Sequence, residues 1–241
     1  MRIQFEFQMG KLPISYRLGI LSIIKEMVYK GSPDYYQKIF VNNKGELKPF
    51  AYSSFIRNLK LENDEIIGDR LILTISSPSY EFIMHLMNGS NRRTEYKYKD
   101  FSLTLASKRL LPNPPEFSEQ IIFKTLSPML IENKEKKPLL SNEIEFEVEV
   151  NYYANLLANE LFNRNLYRPL TILDSEMKKA VIKERVHQEQ SDFIFFTGNE
   201  GLIQIEGHTK DLKMIYDCGI GLRRSLGFGL LDVEGVKYID E

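Results

Sequence analysis

Gly219-Ile220-Gly221-Leu222-Arg223-Arg224-Ser225-Leu226-Gly227-Phe228-Gly229, near the end of the 241-residue chain, is a nearly symmetrical glycine loop around two adjacent arginines. Its pattern is Gly-apolar-Gly, five residues, Gly-apolar-Gly. Glycine has no Cβ, so these positions accept positive φ and let another backbone come close, while arginine offers forked donors that match a phosphate. The stretch therefore reads as a loop facing a polyanion, with Gly219, Gly221, Arg223, Arg224, Ser225, Gly227 and Gly229 as its contact candidates. It is not a dinucleotide fingerprint, because Arg224 stands where a third glycine would be required. Nor does a Lys-Ser/Thr pair follow to complete a P-loop.

Working back from the loop, a helix is expected over about Lys210 to Asp217, with Thr209 as its cap and Gly219 closing it. Before it, Ala180 to Val186 and Asp192 to Glu206 read as a hairpin turning near Gly198 to Gly201. Tyr153, Leu156, Leu157 and Leu161 give Tyr152 to Leu166 a helical period, and Gln120 to Leu126 and Glu143 to Val150 read as strands. Leu111-Pro112-Asn113-Pro114-Pro115 is the best boundary, since clustered prolines disfavour both helix and central strand.

The half before that boundary has a simple order. Residues 2 to 8 alternate as a strand, and roughly 16 to 29 form a helix with Leu21, Ile24 and Val28 on one stripe, ended by Gly31-Ser32-Pro33. Phe50 to Ile56 and Arg70 to Ser76 follow as strands, then a helix over about Tyr80 to Met87 and an extended stretch over 95 to 109. This is βαββαβ, the ferredoxin-like order shared with RNA-recognition modules. The second half repeats it, with one added strand or hairpin near its start. The expected fold is α+β, with tandem ferredoxin-like domains at 1–112 and 116–241 and the glycine-rich loop at 219–229.

Composition narrows the function class. Lysine and arginine total 32 against 33 aspartates and glutamates, so binding a nucleic acid requires segregated charge. Glu143, Glu145, Glu147 and Glu149 alternate on the expected acidic strand, whereas Lys178, Lys179, Lys183 and Arg185 crowd another strand and form a second candidate for backbone contact. The single cysteine, Cys218, excludes an internal disulfide and a multi-thiolate metal site, and reads as a small buried residue. No metal or other cofactor is expected, since the chain lacks a His-Glu-x-x-His pair, a Cys-x-x-Cys and a calcium loop. No apolar run approaches the roughly 18 residues of a membrane helix. The N-terminus starts directly on an alternating strand, so the cytoplasm is the expected compartment.

The glycine loop with Leu230-Leu231-Asp232-Val233 behind it resembles the signature of the CRISPR-associated repeat-processing endoribonucleases, the Cas-six family of the RAMP superfamily. Leu12-Pro13-Ile14-Ser15-Tyr16, Pro33-Asp34-Tyr35-Tyr36 and Lys48-Pro49-Phe50-Ala51-Tyr52-Ser53-Ser54-Phe55 are similar to the family's first helix and following strand, and Thr125-Leu126-Ser127-Pro128 to the segment opening its second domain. The resemblance implies tandem ferredoxin-like domains and binding of CRISPR repeat RNA, the precursor crRNA. It also implies cleavage without metal by a ribose 2′-hydroxyl, leaving a 2′,3′-cyclic phosphate. Effector-complex subunits and a homodimer are the protein partners it suggests.

Many family members carry a catalytic histidine just after the first helix, where this chain has Phe40 or a neighbour. Its three histidines are elsewhere: His85 reads as a packed helix residue, His187 follows a basic strand, and His208 precedes a helix start. The resemblance then points to Lys25, at the first-helix site where relatives have tyrosine or lysine, and to Lys48, before the Pro-Phe-Ala-Tyr strand. Tyr29 lies four residues after Lys25 on the same helical face. A lysine is a poor base near neutral pH but a good stabiliser of developing charge, so the expected enzyme is slow. The alternative is a non-cleaving repeat-RNA-binding subunit of an effector complex.

Overall fold

A computed structural model describes residues 1–99, 101–112, 114, 116–185 and 193–237. In the first half, strands β1 (Arg2–Met9) and β2 (Lys11–Pro13) lead into helices α1 (Arg17–Gly31) and α2 (Pro33–Tyr36), and a π-helical turn covers Gln37–Asn42. Strands β3 (Ala51–Arg57), β4 (Lys60–Glu62), β5 (Glu65–Ile67) and β6 (Arg70–Ser76) follow, then α3 (Tyr80–Ser90), β7 (Glu95–Tyr98) and β8 (Phe101–Leu110). The second half runs β9 (Gln120–Thr125), α4 (Phe146–Phe162), β10 (Thr171–Arg185), β11 (Phe193–Glu206), α5 (Thr209–Cys218) and β12 (Leu231–Lys237).

The first sheet is antiparallel in the order β3-β6-β1-β8-β7, and the second in the order β10-β11-β9-β12. Numbering the four main strands of each half by sequence gives 2-3-1-4 twice, the ferredoxin-like arrangement. In β1 the alternating Ile3, Phe5 and Phe7 are fully buried, and α1 lays Ile20, Ile24 and Val28 on the same core. The helices α1 and α3 cross very closely. A Cβ on Gly31 would sit 1.9 Å from the His85 carbonyl oxygen, and one on Gly89 would sit 1.7 Å from that of Met27.

Four expectations are corrected. Glu143 to Val150 is no strand: α4 starts inside it and buries Phe146, Val150, Tyr153, Ala154 and Leu157 at helical spacing. The alternation of glutamates with apolar residues imitates a strand, but Val148 is 66% exposed because it faces away from the core. Among the described residues the second half therefore carries no added full strand; near its start there is only an isolated antiparallel bridge between Glu132 and Pro138. Gly198 and Gly201 are not a turn but lie inside β11, where Gly201 pairs with Met177. A Cβ at Gly198 would meet Leu130 at 2.8 Å, so this glycine makes room for the chain crossing over the strand. Finally, His208 rather than Thr209 caps α5, its Nδ1 accepting the Lys210 amide at 3.2 Å.

A polar seam joins the halves. Arg2, 4% exposed, donates to Ser76 Oγ (3.3 Å), Asp232 (3.1 Å) and the Tyr216 carbonyl (2.7 Å), with its guanidinium 3.4 Å from the centre of the Tyr216 ring. Ser76 Oγ in turn donates to the Asp217 carbonyl at 2.8 Å.

Candidate nucleic-acid interface

The glycine loop begins where α5 ends. Gly219, Gly221, Gly227 and Gly229 all have φ between 67° and 86°, the left-handed region that glycine tolerates. Backbone bonds lace the loop to the segment that follows β9: Gly229 N donates to Pro128 O (2.8 Å) and Leu222 N to Leu130 O (2.9 Å). On the other side Gly227 lies flat on Tyr52 of β3, where a Cβ would be 2.7 Å from the ring, and the Tyr52 hydroxyl donates to Arg17 O at 2.9 Å. Gly227, and Gly219 beside Ala51, thus serve packing between the two halves, while Gly221 and Gly229 make room for the Leu130 and Ile220 carbonyls of their own half.

The two arginines part company. Arg224 is 4% exposed and donates to Cys218 O at 2.6 Å and to Lys48 O at 3.3 Å, so although it borders the cleft beside Lys48, its donors are engaged by backbone carbonyls, where a phosphate contact was expected. Arg223, with φ of 56°, is turned outward, its guanidinium carbon 4.6 Å from the centre of the Phe196 ring. Cys218 is buried beside them, and burial pushes its thiol up to about 12.

Through Arg224 the loop holds the backbone of Lys48, and the two define a cleft of about 250 Å³ whose polar lining is Lys44, Lys48, Tyr153, Arg223, Arg224 and Ser225, with Glu46 as its one carboxylate. Lys48 Nζ donates to Asn43 O. Partial burial holds its ammonium below the ordinary lysine value, Glu46 opposing the shift and the Lys25 charge adding to it. Lys25 Nζ lies 5.3 Å from the centre of the Phe40 ring, on the π-helical turn that follows α2. Tyr29 is half-exposed and meets Tyr36 edge-to-face at 5.4 Å, and Tyr36 packs at 5.4 Å on Phe40. An aromatic row therefore links Tyr29 to Lys25.

The basic strand divides as well. Lys178 and Lys179 are exposed on opposite faces of β10. Lys183 is engaged elsewhere than expected: its Nζ lies 2.9 Å from both Asp64 oxygens and 3.9 Å from the Phe193 ring centre. The Arg185 backbone pairs with Phe193 at the end of the described strand. His187 lies outside the described residues. His85 packs on the Tyr35 ring at 4.8 Å and His208 on Tyr167 at 4.3 Å; neither lines the cleft.

Sequence reasoning missed Lys44, Tyr153 and the pair Arg17–Glu184. Lys44 has a weak signal, its spacing of four from Lys48. Arg17 Nη1 donates to Glu184 Oε1 at 2.8 Å across the two halves, and residues so far apart in sequence leave no local signal. Burial raises the Glu184 carboxyl, against the lowering effect of Arg17.

Two ferredoxin-like units stitched through a C-terminal glycine loop define the class of this protein, a tandem ferredoxin-like α+β fold. Solved structures share the whole arrangement: one described as a RAMP protein binding different RNA substrates has a TM-score of 0.79 and 21% identity, covering 98% of this chain and 100% of its own. The product of a Cas6-related gene from Pyrococcus furiosus has a TM-score of 0.80 at 21% identity, with 97% and 98% covered. The family model described as CRISPR associated protein Cas6, C-terminal, matches residues 111–233, and the chain belongs to the Cas6 family. The CRISPR-associated endoribonuclease Cas6 1 of Methanocaldococcus jannaschii is 26% identical over 247 residues, 96% of this chain and 92% of the relative.

Proposed function

We propose that the protein is an endoribonuclease that binds CRISPR repeat RNA and cuts the precursor crRNA without a metal. The 2′-oxygen attacks the neighbouring phosphorus, the bond to the 5′-oxygen breaks, and the products are a 2′,3′-cyclic phosphate and a 5′-hydroxyl. The observation that carries this reading is the convergence of Lys48, Arg223 and Ser225 in one cleft, with the Lys25 charge in range of Lys48. Lys48 and Lys25 stabilise charge growing on the phosphate, and preorganised cations in a partly dry site are well suited to that. Tyr29 positions the RNA or moves a proton. Arg223, Ser225, Lys178 and Lys179 hold the backbone, and such contacts fix register more than sequence.

The division into domains 1–112 and 116–241 belongs to the same proposal, as do effector-complex subunits or a second copy as protein partners, and a cytoplasmic location. Among the described residues no helix is long and apolar enough to cross a membrane. A second reading has its own observation: the segment between α1 and β3 offers Phe40 and Lys48 but no histidine. On that reading the protein holds repeat RNA without cutting it.

The test is cleavage of end-labelled repeat RNA in chelator, beside the same RNA with a 2′-deoxy sugar at the cut site. Cutting that stops only with the deoxy sugar, and that weakens in Lys25→Ala and Lys48→Ala, is the expected result. Tight binding with no cut at protein excess favours the second reading.

A further inference from the structure

Arg223 borders two cavities. On one side is the Lys48 cleft; on the other is a recess of about 270 Å³ whose lining includes Arg17, Leu18, Glu184, Phe196, Arg223 and Phe228. The second recess is built differently from the first. Its walls are apolar and aromatic: Phe196 and Phe228 meet edge-to-face at 5.7 Å, and Leu18 at its rim is 38% exposed. Two guanidinium groups lie over these rings, Arg223 at 4.6 Å from Phe196 and Arg17 at 5.0 Å from Phe228.

Its polar edge is narrow and defined. Arg17 gives Nη1 to one oxygen of Glu184, while Arg17 Nε is buried without a hydrogen-bond partner. Buried polar groups are nearly always paired, so an unmatched donor beside a carboxylate marks a place where a ligand's polar edge completes the set. Flat aromatic and guanidinium surfaces around a donor and an acceptor are how proteins hold an unstacked base.

We infer that this recess is a nucleobase pocket, taking the base of one unpaired nucleotide that lies across Arg223 from the phosphate held in the Lys48 cleft. The inference rests on the proposed repeat-RNA reading and adds a source of sequence choice to it. The Glu184 carboxylate accepts from an exocyclic amino group, which uracil lacks, and uracil's one edge donor, N3–H, sits between two carbonyl oxygens that the carboxylate repels, so guanine, adenine or cytosine is preferred over uracil. Arg223 serves both sides, pairing with phosphate and covering the base.

An abasic scan of the repeat RNA around the cut tests it, with Leu18→Trp filling the recess while leaving the Arg17–Glu184 pair in place. One position is expected at which removing the base weakens wild-type binding about tenfold, as for removal of a base stack, and at which that penalty vanishes in Leu18→Trp. Uracil at that position should bind more weakly than the amino bases, and Glu184→Gln, which keeps an acceptor for Arg17, should narrow the gap. A 2-aminopurine there should become shielded from acrylamide on binding wild-type protein, a readout that does not depend on any variant folding. If RNA is bound and cut but no position shows shielding or a base penalty sensitive to Leu18→Trp, the pocket assignment is overturned while the nuclease reading stands. If RNA is not bound at all, the underlying reading fails first.

Discussion

Cations occupy two regions of this molecule in opposite ways. Along the seam, Arg2 and Arg224 are each 4% exposed, with their donors committed to backbone carbonyls and, for Arg2, also to Ser76 and Asp232. In the cleft, Lys48 and Arg223 are held more sparingly, one by the Asn43 carbonyl and the other by the Phe196 ring, and keep donor capacity toward open space. Adjacent arginines of one loop fall on either side of that divide. The presence of arginine does not make a phosphate site; unused donors do.

The sharpest way to break the comparison is to remove a seam cation. Arg224→Ala leaves the Cys218 and Lys48 carbonyls unpaired in a dry place, which should lower unfolding free energy by about 2–4 kcal/mol. Chemical denaturation measures it. Because Lys48 loses its anchor as well, cleavage should fall together with stability, and Arg224→Lys, lacking the fork, should rescue neither. A fully stable Arg224→Ala protein that merely binds RNA less tightly would reverse the assignment and make Arg224 a phosphate contact after all.

Lys48 should affect chemistry and leave the fold intact. Its alanine variant is expected to lose roughly a hundredfold in single-turnover cleavage, the scale for one electrostatic donor, with RNA affinity little changed. The pH dependence carries the sign. If the ammonium is the working form, activity is full at low pH and falls as pH rises through the Lys48 value, which burial places below the ordinary 10.5. Lys48→Arg should carry activity to higher pH. A rate that instead rises through this range would make the neutral amine a base.

Arg223→Ala is smaller still. With one fewer cation on the phosphate backbone, repeat-RNA binding should weaken several-fold and the slope of log affinity against log salt should become shallower by about 1. Titrations at a series of salt concentrations give the slope, and no change in it would take Arg223 off the RNA backbone.

How much of this was legible depended on how local the determinant was. Strand β1 could be read because Ile3, Phe5 and Phe7 alternate within a few residues, and β6 came out at Arg70–Ser76 as expected. The start of α4 was misread because Glu143, Glu145, Glu147 and Glu149 obey a period of two, whereas the helix is set by Phe146, Val150 and Tyr153 meeting a core assembled from distant strands. The division between Arg223 and Arg224 was out of reach, since it depends on a carbonyl at Lys48 and a left-handed backbone at Arg223. Lys25 and Lys48 were found through resemblance to a family; no spacing rule joins them across the intervening turn.

Lys183 tests the comparison from between the two regions. It was expected on the RNA path, yet its amine lies against both oxygens of Asp64, an ion pair in which Asp64 is about half-exposed. Such a pair adds under about 1 kcal/mol to stability, so Lys183→Ala should barely move either the denaturation midpoint or RNA affinity. Asp64→Asn is the informative variant. It removes the partner but keeps the side-chain shape, returning Lys183 to the pool of cations with unused donors. If unused donor capacity is what makes a cation functional here, Asp64→Asn should tighten RNA binding about twofold at low salt and lose that gain at high salt, as expected for an exposed charge. If Lys183→Ala alone already weakens binding several-fold, the lysine was reaching RNA in spite of Asp64, and the line between committed and available cations must be redrawn to include paired surface charges.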